Sequence, residues 1–257
     1  MAPTRILDSH IHLWPSTSTT SKDHGWMTDP SHFLAKRHGI SDYKAVTSSS
    51  PAGSSLAGFV YVETDRYLPT KTPDINANAS KEEIEKALNE WAKAPLEELR
   101  FLRRIVEQRP QDGDGFEQGD GELMKGAVIW APFHLSTSLF NAYLAIAEDV
   151  AGMELWERIV GFRYLLQGKE DGEVKKLVSS KDWIENIVGL GKGRGGKGWA
   201  FDIGVDINRD GTEPLDAVGE MVQQVRSLEA QEGTNGQPVR FVLSELIISK
   251  RSVWSGC

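Results

Sequence analysis

His10 and His12 stand one residue apart in "LDSHIHLW" (7–14), in a chain with only six histidines. Side chains alternate faces along a strand, so both imidazoles point the same way and meet at one locus. Two neutral imidazoles can hold Zn²⁺ or a similar divalent ion, or position a substrate and its water. A bare His-x-His also occurs as an ordinary surface pair, so the elements around it decide its weight.

Those elements begin with the apolar lead-in Ile6-Leu7, which makes the histidines the end of a first strand. Five more runs follow: "AGFVYVET" (57–64), "MKGAVIWAPF" (124–133), "RIVGFRYLL" (158–166), "GWAFDIGVDI" (198–207) and "VRFVLSEL" (239–246). Continuous apolar runs of this length suit strands buried on both faces, as in a parallel sheet. Helix signals lie between them. Ser80 to Glu83 reads as a capping box, followed by Ile84, Leu88 and Trp91 at helical spacing. Pro95 lacks an amide donor, so it is expected to end that helix and start another with Leu96, Leu99, Leu102 and Val106 on one face. Residues 136–152 read as a helix stopped by Gly152, residues 182–191 as another, and Pro214 opens a helix with Leu215, Val218, Val222, Val225 and Leu228. Alternating strands and helices imply a parallel sheet with right-handed crossovers. In such folds the C-terminal strand ends carry the active site, which is where His10 and His12 fall. The stretch from His12 to about Ala57 is expected to be a long loop, and "QDGDGFEQGDGE" (111–122) a mobile acidic surface loop.

The length of 257 residues fits one large domain over 1–257, and single α/β barrels often have this size. Acidic residues outnumber basic ones, 37 to 29, for a net charge of −8. That balance argues against nucleic acid, whose phosphates are bound by clustered Lys and Arg. The lone cysteine, Cys257, allows no disulfide within the chain. No secretory leader and no membrane-spanning run is expected. The expectation is a cytoplasmic, acidic globular protein with a small-molecule substrate and an open oligomeric state.

"LDSHIHLW" resembles the first-strand motif of the amidohydrolase superfamily, and is most similar to its amidohydrolase-related lactonase branch, which includes L-rhamnono-γ-lactonases and 2-pyrone-4,6-dicarboxylate lactonases. The later phrases "GFVYVETDR", "GAVIWAPF", "IVGFRYLLQ", "GWAFDIGVD" and "VRFVL" are similar in order and spacing, over roughly residues 5–244. The resemblance implies an α/β fold of the TIM-type (β/α) barrel. It implies opening of a lactone, amide or related bond by water attack. In metal-dependent members the His-x-His pair binds a divalent ion such as Zn²⁺, whereas some lactonases of the branch are thought to work without metal, so both remain open. Carried over by position, His10 and His12 are the first-strand pair and Arg163 is the strand-four arginine that grips a substrate carboxylate or hydroxyls. Glu63, Asp65 and Arg66 end the second strand, and His134 follows the third. Asp202 and Asp206 share a strand face and either could aim into the barrel. Trp14 and Trp26 could line a sugar-sized pocket or simply be buried. For Arg163 the competing role is a structural salt bridge with Asp202.

The resemblance breaks down late in the chain. Glu245 stands where the family has a strand-six histidine, and the family's strand-eight aspartate has no counterpart. Six strand-like runs are present where the barrel has eight. An incomplete barrel truncated at its C-terminus, with an atypical tail over 245–257, is therefore expected, its first and last strands exposing apolar edges. Losing a general base typically costs ~10²–10⁴-fold. Weak activity, or a non-catalytic remnant that binds a small ligand or metal, is thus the alternative to an active lactonase.

Two further motifs carry no such weight. "GLGKGRGGKG" (189–198) approaches a phosphate loop but has Gly198 where Ser or Thr is needed and precedes a strand. "DINRDG" (206–211) opens like a calcium loop, but Ala217 occupies the position of the bidentate Glu.

Overall fold

The computed structural model describes residues 5–49, 55–232 and 236–246. Six strands alternate with helices: β1 (Ile6–Ile11), β2 (Leu56–Val62), β3 (Met124–Trp130), β4 (Ile159–Arg163), β5 (Ala200–Val205) and β6 (Arg240–Leu246). Each of the six apolar runs becomes a strand. The helices are α1 (Ile40–Ser48), α2 (Lys81–Trp91), α3 (Lys93–Val106), α4 (Thr137–Arg158), α5 (Glu173–Val178), α6 (Lys181–Leu190), α7 (Ile207–Asp210) and α8 (Glu213–Glu232). Strand order follows chain order, and the β1–β2, β2–β3 and β5–β6 pairs are parallel. This is an α/β fold with alternating helices. The tail 247–257 lies outside the described residues, as do the side chains of Ser244, Glu245 and Leu246. Among the described residues no helix is long and apolar enough to cross a membrane.

The described residues pack as two compact units, one drawn from 1–131 and 138–161 and the other from 132–137 and 162–257. In the first, β3 is almost wholly buried and β2 more than half so; Phe59, Tyr61, Met124 and Ile129 of these strands are buried, as are Leu88, Leu96, Leu99, Leu102 and Phe140 of the helices. In the second, Phe133, Trp183 and Phe201 form an aromatic centre with ring centroids 5.0–6.0 Å apart in edge or tilted contact. The expected exposure of the outer strands is present at Leu7 of β1 and at Val242 and Leu243 of β6, which are 52%, 44% and 48% exposed.

Local signals behave largely as their chemistry dictates. Ser80 accepts from the Glu83 amide and Glu83 accepts from the Ser80 amide, closing the capping box. The break between α2 and α3 falls at Ala92 rather than at Pro95 itself, because proline is tolerated in a helix's first turn. Gly152 leaves helical geometry (φ 66°, ψ 167°), yet a further turn follows it as far as Arg158.

Three expectations need correction. The stretch 12–57 is not all loop: α1 forms within it, its start held by the Asp42 carboxylate, which accepts from the Gly39 amide at 2.8 Å and pairs with Arg37. Residues 111–122 are not a loose surface loop. Asp114 is buried and takes both arms of the Arg104 guanidinium at 2.7 Å, Phe116 packs edge-on against Phe101, and Asp120 meets Lys44. Gly115 in this segment sits so close to Gly39 that a Cβ on Gly39 would collide with the Gly115 backbone. Asp206 does not serve as an inward-facing carboxylate: its Oδ1 accepts from the Asn208 and Arg209 amides and starts α7.

Candidate functional site

In the first unit the C-terminal end of β1 brings the two histidines together. Their Nε2 atoms lie 3.1 Å apart, with the rings edge-on at a centroid distance of 4.8 Å. His12 Nδ1 is 2.9 Å from the Val62 carbonyl oxygen. A carbonyl only accepts, so Nδ1 carries a hydrogen, and in the neutral ring this leaves the Nε2 lone pair facing His10. The His10 amide donates to Asp8 Oδ1, and Asp8 Oδ2 accepts from Tyr43 on α1, which steadies the strand just before the pair. Burial and the Asp8 carboxylate push the Tyr43 hydroxyl up to about 12, so it remains a donor.

A second group gathers at the end of β2. Glu63 is buried, and its Oε2 accepts from the Asp65 amide at 2.7 Å. Asp65 adopts a left-handed backbone (φ 51°), a conformation that Asp tolerates better than most residues. Arg66 is buried and faces Glu98 of α3, with Nε 3.5 Å from Oε1. The same Glu98 oxygen accepts from the Tyr61 hydroxyl at 2.7 Å, the Thr64 hydroxyl at 2.6 Å and the Thr64 amide at 3.1 Å. His24 Nε2 is 2.8 Å from Thr64 Oγ1. Burial and the nearby Arg66 charge lower the His24 pKa to about 3, so its ring is neutral. Burial and the Glu98 charge hold the Tyr61 hydroxyl well above its ordinary value.

Trp14 is buried, with its indole N–H on the Lys36 carbonyl at 2.7 Å and its ring against His24, His38 and Trp26. Trp26 keeps 39% of its surface exposed while its indole donates to the Thr64 carbonyl at 3.0 Å. Trp14 therefore takes the burial role and Trp26 the more open one.

In the second unit Arg163 and Asp202 form a buried pair, Nε to Oδ1 at 2.6 Å. The salt bridge weighed against substrate gripping is thus present. His134 is carried between Phe133 and Leu135, whose carbonyls both accept from the Asn186 amide group of α6, at 3.0 and 2.8 Å. Its ring lies edge-on to Tyr164 at 5.3 Å.

Adjacent ligand nitrogens on an ion bound at about 2.0–2.1 Å stand roughly 3 Å apart, so the imidazole pair fits two corners of a zinc-like site. Among the described residues no group of three or more His, Cys, Asp or Glu converges as a metal cluster. Within 189–198 a short 3₁₀ turn forms at Arg194–Gly196 before β5, and 206–211 is a helical turn capped by Asp206.

Sequence reasoning missed Glu98 and His24. Glu98 had a signal: it lines up with Phe101, Leu102 and Ile105 at helical spacing, on the side of α3 that is buried. His24 had none, since its burial depends on the fold of the 15–38 segment. No family model, curated protein or solved structure matches the chain.

Proposed function

We propose that the chain is an amidohydrolase-type hydrolase that opens a small polar lactone or related cyclic ester by attack of water. The support is the resemblance carried by "LDSHIHLW" and the later strand phrases, together with one observation: the His10 and His12 Nε2 atoms meet at 3.1 Å. His10 and His12 hold the attacking water, or a divalent ion such as Zn²⁺ that would act on it as a Lewis acid. The Val62 carbonyl fixes which His12 nitrogen faces the reaction, as outer partners of imidazole ligands commonly do. By the resemblance, Arg163 anchors a substrate carboxylate or hydroxyl, and Asp202 orients it through Nε. Glu63 and Arg66 shape the end of β2, and His134 stands at the end of β3. In this proposal the six strands belong to the eight-stranded barrel plan.

The second reading is a non-catalytic barrel remnant that keeps a ligand or metal cleft. The buried Arg163–Asp202 pair favours it, because that guanidinium is already engaged inside the protein. The separating experiment is acid release from a panel of sugar-acid lactones, followed with a pH indicator, beside zinc analysis of the purified protein. Turnover that His10→Ala and His12→Ala abolish supports the hydrolase. Zinc bound through the pair without turnover supports the remnant. Neither turnover nor zinc bound through the pair removes both readings.

A further inference from the structure

We propose that Glu98 is a positioning residue for His12: from helix α3 it sets which nitrogen of that imidazole carries the proton, acting through the end of strand β2. The inference rests on the reading of His12 as a working group.

The chain of contacts is short. His12 Nδ1 meets the Val62 carbonyl at 2.9 Å and its Nε2 faces His10 at 3.1 Å, so the placement of that carbonyl bears directly on which nitrogen carries the proton. Val62 sits between two residues that Glu98 grips. On one side is Tyr61, whose hydroxyl reaches Glu98 at 2.7 Å. On the other is Thr64, which reaches the same oxygen with both its hydroxyl, at 2.6 Å, and its amide, at 3.1 Å. Arg66 adds its charge from 3.5 Å. Three donors and a guanidinium from one short segment thus converge on a single carboxylate oxygen. The side chains of Glu98 and Arg66 are each 1% exposed.

A buried ion pair is a poor way to gain stability, since well-packed apolar residues of similar volume often do as well or better. What such a network supplies is a fixed geometry, because breaking any one bond strands a buried polar group. Here the geometry fixed is the end of strand β2: the Glu63 amide, in the same peptide as the Val62 carbonyl, donates to the Val128 carbonyl at 2.9 Å, and the Glu98 contacts hold Tyr61 and Thr64 to either side.

Long-range ¹H–¹⁵N NMR of the histidine rings at neutral pH tests this, with His12 assigned by its loss in His12→Gln. The wild-type protein is expected to show His12 protonated at Nδ1. Glu98→Gln should lower the Nδ1–H to Nε2–H ratio by roughly fivefold, the worth of one hydrogen bond. Tyr61→Phe, which removes a single hydroxyl, should move it the same way by less. If Glu98→Gln does not fold, Tyr61→Phe and Thr64→Val carry the comparison. A purely structural role for Glu98 would lower the unfolding midpoint and leave the His12 nitrogen shifts in place. That result in the folded variants overturns the proposal, as does a wild-type His12 protonated at Nε2. Lactone turnover is a separate readout: its absence would defeat the hydrolase reading while leaving the tautomer result standing.

Discussion

Acid should destabilise this protein through His24 more steeply than through an ordinary histidine. The ring is fully buried, and burial together with the Arg66 charge lowers its pKa from 6.5 to about 3. The folded-state value lies below the unfolded one. The unfolded chain therefore takes up a proton as pH falls through 6.5, whereas the folded protein does not until about pH 3. The stabilisation from a neutral His24 is complete above pH 6.5 and is lost progressively down to about pH 3. The limiting slope is about 1.4 kcal/mol per pH unit. Between pH 7 and pH 5 the loss comes to roughly 2 kcal/mol, because the unfolded histidine is only partly protonated at the start of that interval. Many carboxylates titrate over the same range, so the comparison must be with His24→Gln, which retains the other titrating groups. Urea unfolding followed by tryptophan fluorescence at both pH values gives the two free-energy differences. Wild type should lose roughly 2 kcal/mol more than the variant over that interval. Equal pH dependence in the two proteins would refute the argument that His24 is held neutral by its surroundings.

Other consequences can be checked by the same unfolding measurement. Asp114→Ala removes the carboxylate that takes both arms of Arg104, and should cost about 1–3 kcal/mol while making residues 111–122 open to limited proteolysis. A change within 0.5 kcal/mol, on the order expected for an ordinary surface site, would mean that segment is not anchored as described. Asn186→Ala leaves the Phe133 and Leu135 carbonyls without their shared donor and should cost a similar amount; an unchanged midpoint would argue against that clamp. Gly58→Ala should destabilise by more than about 1 kcal/mol, because φ is 146° there and the new methyl would meet the Leu123 carbonyl at 2.5 Å. Wild-type stability in that variant would show that the β2–β3 approach is looser than it stands.

Strands β2 to β5 were legible because each is a compact apolar run, as strands inside a parallel sheet are; β1 was legible from its Ile6-Leu7 lead-in and the His10–His12 alternation. Helices with strong punctuation were legible too: the Ser80–Glu83 box, the Gly152 break and the Pro214 start. The helix α1 was not, since its cap depends on Asp42 reaching back to Gly39 and Arg37 rather than on a Ser or Thr signal. The 111–122 segment misled because glycine and acid suggest mobility. Asp114 in fact pairs with Arg104, ten residues back at the end of α3, and Asp120 with Lys44, 76 residues away in sequence. At the candidate site, the meeting of His10 and His12 followed from strand alternation alone. The engagement of Arg163 with Asp202 was foreseen only as one of two roles. Helical spacing puts Glu98 on the buried face of α3, but its partners Tyr61, Thr64 and Arg66 lie more than thirty residues away in sequence, and no local pattern names them.

The most direct test of the central claim is acid release from sugar-acid lactones by the wild-type protein and by His12→Ala, compared at equal concentrations of folded protein. The account predicts measurable ring opening that falls by about 10²-fold or more when His12 is lost. Turnover identical in the two proteins, or none in the wild type, would contradict it.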